Sequence, residues 1–332
     1  MDTEQDAETG WIALAGTEDL PILSEPVELA ARGVAPVKTV ALPYRPLTSD
    51  EYRQYGAELR GASAILLRSG YVTAQLLDEL PNLKVVAVHG AGVDPVDLEA
   101  CAGRSVQVTN TPGANATAVT ELTVGLMLAL MRQIPRSAHL VQQDRAWDGA
   151  RHTGGELRGR RLGLVGFGQI GQRVANIATA FGMEVMAHDP GLTDEVIVAN
   201  GAVPVGLEHL CAEADIVSLH APAIPATHHM LDGALFAKMK AGVRIVNCAR
   251  GSLIDENALA AALRSGQVGG AALDVLDGEP PDPNSPLYDA PNIIITPHMA
   301  GSTFECLATI AKTAGTDIVR VLQGEKPLHP VV

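Results

Sequence analysis

Basic residues are scarce in this sequence: 24 Lys and Arg stand against 38 Asp and Glu, for a net charge of −14. Nucleic acid and anionic membrane surfaces both require clustered Lys and Arg, so neither is expected as a partner. A small anionic substrate would have to be held by a local basic group. Cysteine is scarce as well. Cys101, Cys211, Cys248 and Cys306 are far apart and form no CxxC pair, which argues against a zinc site or a disulfide scaffold. No metal is expected, and a reducing, cytoplasmic setting fits. Long apolar runs are missing too. The longest, Val124 to Met131, falls far short of the roughly 20 residues that cross a bilayer. The acidic opening MDTEQDAETG lacks the basic and apolar segments of a secretion signal, so no export is expected.

What is present is a chain of 332 residues, 47% hydrophobic and 19% charged. That composition is globular and that length suggests two domains. From Trp11 to about Asn110 the short apolar runs WIALAG, VKTVALP, ASAILLRSG, LKVVAVHG and VQVTNTP read as strands, with SDEYRQYGAELRG and TAQLLDELP as helices between them. Such alternation implies a mostly parallel sheet with helical crossovers. Pro112-Gly113 then breaks the chain before a long apolar helix, which is expected to be buried between domains or against a second subunit. The segment that follows, through Trp147 and HTGGELRG, reads as a polar loop.

The stretch Arg161 to Asp189 organises the rest. RLGLV is a short buried-strand pattern that runs into Gly166-Phe167-Gly168-Gln169-Ile170-Gly171, followed by QRVANIATAFGM at helical spacing and a second apolar run ending at His188-Asp189. In a strand, glycine turn, helix, strand unit each glycine has a task. Gly166 makes the tight turn, Gly168 lets a diphosphate approach the backbone, and Gly171 lets helix and strand pack closely. The diphosphate would rest on N–H groups at the helix N-terminus. Asp189 has the spacing of an acid that accepts hydrogen bonds from a ribose. A GxGxxG alone is a weak signal in a chain with 33 glycines; here the flanking elements occur in the required order. Further βα units follow, and Arg250, Asp274 and His298 each fall just past a strand, where ligands of a doubly wound sheet bind. The tail from about Phe304 to Gln323 reads as one amphipathic helix returning to the first domain.

Six ordered motifs, VTNTPGANATAVTELT, LGLVGFGQIG, SLHAPAIPAT, IVNCARGSLIDENAL, ALDVLDGEP and TPHMAGST, make the chain similar to the D-isomer-specific 2-hydroxyacid dehydrogenases. The resemblance implies an α/β fold of two Rossmann-like doubly wound domains. A central NAD-binding domain, residues 113–298, would be inserted into a split flavodoxin-like substrate domain, residues 1–112 and 299–332. It implies NAD as cofactor and a homodimer formed through the 114–150 region. Carried over by motif, Arg250, Glu279 and His298 match the catalytic arginine, glutamate and histidine. Gly166, Gly168, Gln169, Ile170, Gly171, Asp189, Ala221, Cys248, Ala249, Arg250, Asp274, His298, Met299, Ala300 and Gly301 match cofactor contacts, with Asp274 facing the nicotinamide amide. Ser69, Gly70, His89, Gly90, Ala91 and Arg250 match substrate contacts.

The residue chemistry agrees with that assignment. A 2-keto acid needs a planar cation to grip its carboxylate and polarise its carbonyl, and arginine has the forked geometry. Its reduction also needs a proton at the nascent alkoxide, which suits a histidine made more basic by a neighbouring carboxylate. Taken singly, Arg250 reads as a surface ion-pair partner, His298 as a satisfied histidine and Glu279 as a loop residue; the joint pattern decides. Relatives resembling phosphoglycerate dehydrogenase carry an arginine at the position of Val88 and a longer first loop. The loop Leu67 to Val72 and Val88 therefore point to a small 2-keto acid without a phosphate. With the sequence ending at Val332, no appended regulatory domain is expected. The competing possibility is a dinucleotide-sensing corepressor of the same fold, an interaction protein that keeps the catalytic-looking residues.

Overall fold

The computed structural model describes residues 10–149 and 153–332; the acidic opening segment and the His152 that heads HTGG lie outside the described residues. The chain divides into two compact units. One holds the described residues up to Asn115 together with Ser302–Val332, the other Ala116–Gly301.

In the first unit, β1 (Trp11–Gly16), β2 (Val37–Ala41), β3 (Ala62–Leu67), β4 (Val85–Val88) and β5 (Gln107–Thr109) form a parallel sheet in the order β2-β1-β3-β4-β5. That is the flavodoxin-like order. Every residue of β1, β3 and β4 is buried, as unbroken apolar strands covered on both faces must be. On one face lie α2 (Ser49–Leu59), α3 (Ala74–Asp78) and α4 (Leu98–Gly103), contributing Leu59, Leu76, Leu77 and Cys101 to the core. The start of α2 follows from sequence: the Thr48 hydroxyl accepts the N–H of Glu51 and the Glu51 carboxylate accepts that of Thr48, a reciprocal cap. On the other face α1 (Ser24–Ala30) and the last helix, α12 (Phe304–Leu322), bring Val27, Ala311, Ala314 and Ile318 against Ile12, Leu14, Leu66 and Val85. A Cβ on Gly315 would stand 3.3 Å from the Val27 Cα, so glycine sets how closely these two helices meet. The final residues run along β5, with Val331 N–H donating to the Val108 carbonyl at 2.7 Å and Val108 N–H to that of Val332 at 3.0 Å.

The second unit opens with α5 (Ala116–Met131) and α6 (Ile134–Gln142) and then builds a seven-stranded parallel sheet, β12-β11-β10-β9-β6-β7-β8. Its strands are β6 (Arg161–Val165), β7 (Glu184–His188), β8 (Val203–Pro204), β9 (Ile216–Leu219), β10 (Val243–Asn247), β11 (Val268–Leu273) and β12 (Ile293–Ile295). After β6 the chain steps outward through β7 and β8, then returns to place β9 on the other side of β6. That reversal opens a crevice at the carboxyl ends of β6 and β9. The crossover helices are α7 (Gln169–Ala180), α8 (Asp194–Ala199), α9 (Leu207–Glu213), α10 (Gly233–Lys238) and α11 (Glu256–Ser265).

Three expectations change. The single apolar helix after Pro112-Gly113 is two helices, interrupted where Gln133 takes a left-handed φ of 53°. The buried residues of α5, Val119, Val124, Leu126, Met127, Leu130 and Met131, join the core beneath β6 and α7 of their own unit, so that core accounts for their burial. The unit boundaries fall at 115/116 and 301/302, slightly past the expected 112/113 and 298/299. Hydrogen bonding explains the shift: Thr111 N–H still donates to Gly90 at 2.9 Å, while the N–H groups of Met299 and Ala300 are held by Asp274 at 2.9 and 2.8 Å. Finally, α1 and α4 were not anticipated.

Candidate active site

The glycine turn after β6 is shaped by close approach. Gly166 has φ +91°, and a Cβ there would fall 2.5 Å from the His220 carbonyl carbon and 2.6 Å from Ala221 N, while a Cβ on Gly171 would fall 2.5 Å from the Gly166 oxygen. Gly168 differs: a Cβ on it would meet nothing within 4 Å. Gly168 is also the N-cap of α7 and offers no side-chain cap, so the first N–H groups of the helix, at Gln169 and Ile170, are left for another acceptor. Asp189 at the end of β7 accepts Phe167 N–H at 2.7 Å on one oxygen and Gly191 N–H at 2.9 Å on the other. Each carboxylate oxygen can accept a second bond, so Asp189 fastens the turn and retains capacity for ribose hydroxyls. Beside it a hollow is lined by His188, Pro190, Leu192, Ile197 and Val205. These residues fit a dinucleotide: open space in front of Gly168, helix N–H groups for the diphosphate, and an acid for the ribose.

Three strand ends present the remaining side chains. After β10, buried Asn247 donates to the Arg250 carbonyl at 2.8 Å and accepts Ala249 N–H at 3.0 Å, fixing the turn through Cys248 and Ala249. Arg250 Nη1 donates to the Ala249 carbonyl at 2.8 Å. Burial pushes the Cys248 thiol up to about 12, which makes it an inert packing group. After β11, Asp274 is 1% exposed and accepts from Thr296 Oγ1 at 2.6 Å and Met299 N–H at 2.9 Å on one oxygen, and from Ala300 N–H at 2.8 Å on the other. Three of about four acceptor positions are filled, so Asp274 mainly clamps the loop after β12 and keeps one position open for an amide donor. That clamp holds His298 in the left-handed region, φ 49°, with its N–H donating to the Asp274 carbonyl at 2.8 Å.

His298 Nδ1 lies 2.6 Å from Glu279 Oε2, and Leu276 N–H donates to Glu279 Oε1 at 3.2 Å. The Glu279 hydrogen bond raises the His298 pKa above the usual histidine value, with burial opposing and the charges of Glu279 and Asp274 reinforcing it. The carboxylate therefore favours the imidazolium and directs Nε2 away from itself. Arg250, Asp274, Glu279 and His298 all belong to the same unit.

The loops expected to contact substrate behave otherwise. Ser69 is fully buried, its N–H donating to Ala15 at 3.1 Å and its hydroxyl to Leu42 at 2.6 Å. Ser69, expected as a substrate contact, therefore has its backbone N–H committed within the fold. The N–H groups of His89 and Gly90 donate to Leu67 and Val88, and burial drops the His89 imidazole to about 3, so it stays neutral. Gly70, with φ +92°, and Ala91 remain as candidates. Asn247, Thr296 and Gly251 were not anticipated as site residues. A Cβ on Gly251 would stand 1.9 Å from the Leu276 carbonyl carbon, and its place beside Arg250 in CARG was the one available signal.

Comparison with known proteins follows this geometry. Residues 124–300 match the family model described as D-isomer specific 2-hydroxyacid dehydrogenase, NAD binding domain. The chain belongs to this dehydrogenase family. It is 40% identical over 270 residues to the D-3-phosphoglycerate dehydrogenase of Rattus norvegicus, covering 81% of this chain and 50% of that protein. It is 41% identical over 281 residues to that of Methanocaldococcus jannaschii, covering 84% and 53%. The chain thus spans about half the length of these relatives. Among solved structures, Aquifex aeolicus D-lactate dehydrogenase complexed with NAD and lactic acid superposes with a TM-score of 0.82 at 27% identity, over 97% of this chain and 98% of the other. The family's NAD-binding domain is the unit that carries the glycine turn, Asp189, Arg250, Asp274, Glu279 and His298.

Proposed function

We propose that this protein is an NAD-dependent oxidoreductase interconverting a small 2-keto acid and its D-2-hydroxy acid. The observation that carries the reading is His298 Nδ1 at 2.6 Å from Glu279 Oε2, with Gly251 of the Arg250 turn packed against the backbone of Leu276 and Asp277 just before Glu279. Bound NAD supplies or accepts the hydride; Gly166, Gly168, Gln169, Ile170, Gly171, Ala221, Cys248, Ala249 and Gly301 would hold it, with Asp189 at the ribose and the open acceptor position of Asp274 at the amide. Arg250 grips the substrate carboxylate and polarises its carbonyl. His298 delivers the proton in reduction and takes it in oxidation, while Glu279 holds the ring and its charge.

A substrate without phosphate is favoured by Val88, aliphatic and 5% exposed, and by Arg68, whose guanidinium is turned toward the Pro21 carbonyl and Ser302. Ile134, Val141 and Trp147 are exposed apolar residues, Trp147 by 91%, which supports a homodimer through the 114–150 region, of which residue 150 is outside the described residues. Four free, buried cysteines support a cytoplasmic setting. No helix among the described residues is long and apolar enough to cross a membrane.

Turnover with NADH and a panel of 2-keto acids, 3-phosphohydroxypyruvate included, is the test. Reduction of glyoxylate, pyruvate or hydroxypyruvate is expected. Cofactor binding without turnover of any member would favour the corepressor instead.

A further inference from the structure

The turn that carries Glu279 is held from outside by residues that the proposed chemistry does not use. Glu256, the first residue of α11, accepts the backbone N–H of Asp277 on Oε1 at 2.7 Å. The Asp277 side chain meets His229 Nε2 at 3.2 Å, and the His229 backbone N–H donates to the Ser252 carbonyl at 2.7 Å. The same Ser252 segment leaves the Arg250 turn, and Gly251 beside it presses on the backbone of Leu276 and Asp277, where a Cβ would come within 1.9 Å. These bonds form one connected path from the Arg250 turn through Asp277 and Leu276 to Glu279 and His298.

We propose that Glu256, Asp277 and His229 are positioning residues that set the 276–279 turn so that Glu279 meets His298; this rests on the acid pair proposed above. The links differ in weight. The His229 and Asp277 side chains are 40% and 44% exposed, so their pairing is screened and contributes little to stability. Glu256 is half-buried, and burial pushes its carboxyl up while the Asp277 N–H pulls it back, so the contact to the backbone carries most of the constraint. Asp277 adjoins Gly278, which has φ +91° and gives the turn no stiffness of its own. A displacement of about 1 Å is enough to cost a reaction on the order of 10²-fold.

The test is the titration of the His298 ring by NMR, together with kcat and KM. The groups facing His298 are Glu279, Asp274 and Arg250, none of which is altered in the Glu256 and His229 variants. Glu256→Ala should let the His298 titration move down in pH and reduce kcat by roughly 10- to 100-fold with KM for NADH little changed. Glu256→Gln, whose amide oxygen can still accept the Asp277 N–H, should restore both. His229→Gln leaves the start of α11 intact and should shift the titration in the same direction by less, which keeps the test open if Glu256→Ala folds poorly. Glu279→Gln serves as the reference. If that substitution moves the titration and folded Glu256→Ala and His229→Gln do not, the positioning role is overturned and the acid pair stands. If Glu279→Gln itself leaves the titration unmoved, the pairing beneath both proposals fails.

Discussion

At the scale of single residues, the proposed division of labour makes the three reactive side chains fail differently. Arg250→Ala removes a forked cation from the carboxylate and the carbonyl, so kcat/KM should collapse with a pronounced rise in KM for the keto acid. His298→Ala removes proton delivery and leaves ground-state binding, so the loss should fall in kcat, on the order of 10²–10⁴. For Glu279→Gln the sign follows from the raised His298 pKa. Reduction needs the protonated ring, so activity falls as pH rises through that pKa; without the carboxylate charge the pKa drops, and the falling limb should move to lower pH. A limb that stayed or moved up would break the pairing. Arg250 and His298 were legible as candidates because each stands in a short motif just past a strand, and Glu279 because it lies in the motif ALDVLDGEP. Asn247 and Thr296 were not, since what marks them is a bond within their own turn or to the Asp274 side chain, and Gly251 was not, since the Leu276 backbone it packs against lies far along the chain. Ser69 misled for the same reason: only the fold shows that Ala15 already takes its N–H.

Among the elements, the glycine turn offers a comparison within one motif. Alanine at Gly166 would meet both φ +91° and His220 at 2.5 Å, so thermal stability should fall sharply, by more than the roughly 1–3 kcal/mol of backbone strain alone. Alanine at Gly168 has open space and an ordinary φ of −71°. Its Tm should hardly change, but the added methyl projects into the open space where the diphosphate is proposed to lie, and Kd for NADH should rise about tenfold or more, some 1.4 kcal/mol. Calorimetry and cofactor titration on the same two proteins decide it; equal behaviour would remove the assignment of Gly168. Strands that are continuous apolar runs are legible in the sequence, and so is the five-residue α3, which buries the adjacent Leu76 and Leu77. α1 and α4 each bury a single residue, Val27 and Cys101, and so leave no apolar pattern, and the break at Gln133 sits in a stretch whose apolar pattern continues through it.

For the molecule as a whole, each unit carries, among the described residues, a half-buried histidine that favours its neutral form. Burial lowers His89 to about 3 and His220 to about 4 from an ordinary 6.5. The unfolded chain takes up protons first, so both contributions are complete above pH 6.5 and are lost as pH falls toward the folded values. Tm measured from pH 7 to pH 4 should therefore decline, and His220→Gln should flatten that decline, whereas a slope unchanged by substitution would assign the loss to carboxylates. The first unit has a second property, because it is assembled from both ends of the described chain. During synthesis β1 to β5 and α1 leave the ribosome early, yet the face formed by Ile12, Leu14, Leu66 and Val85, which α1 covers in part, is not closed until α12 follows. All of residues 116–301 must emerge in between. The earliest-made sheet is thus the last to be completed, its apolar residues waiting for a helix encoded almost two hundred residues later, while the dinucleotide unit can fold ahead of it.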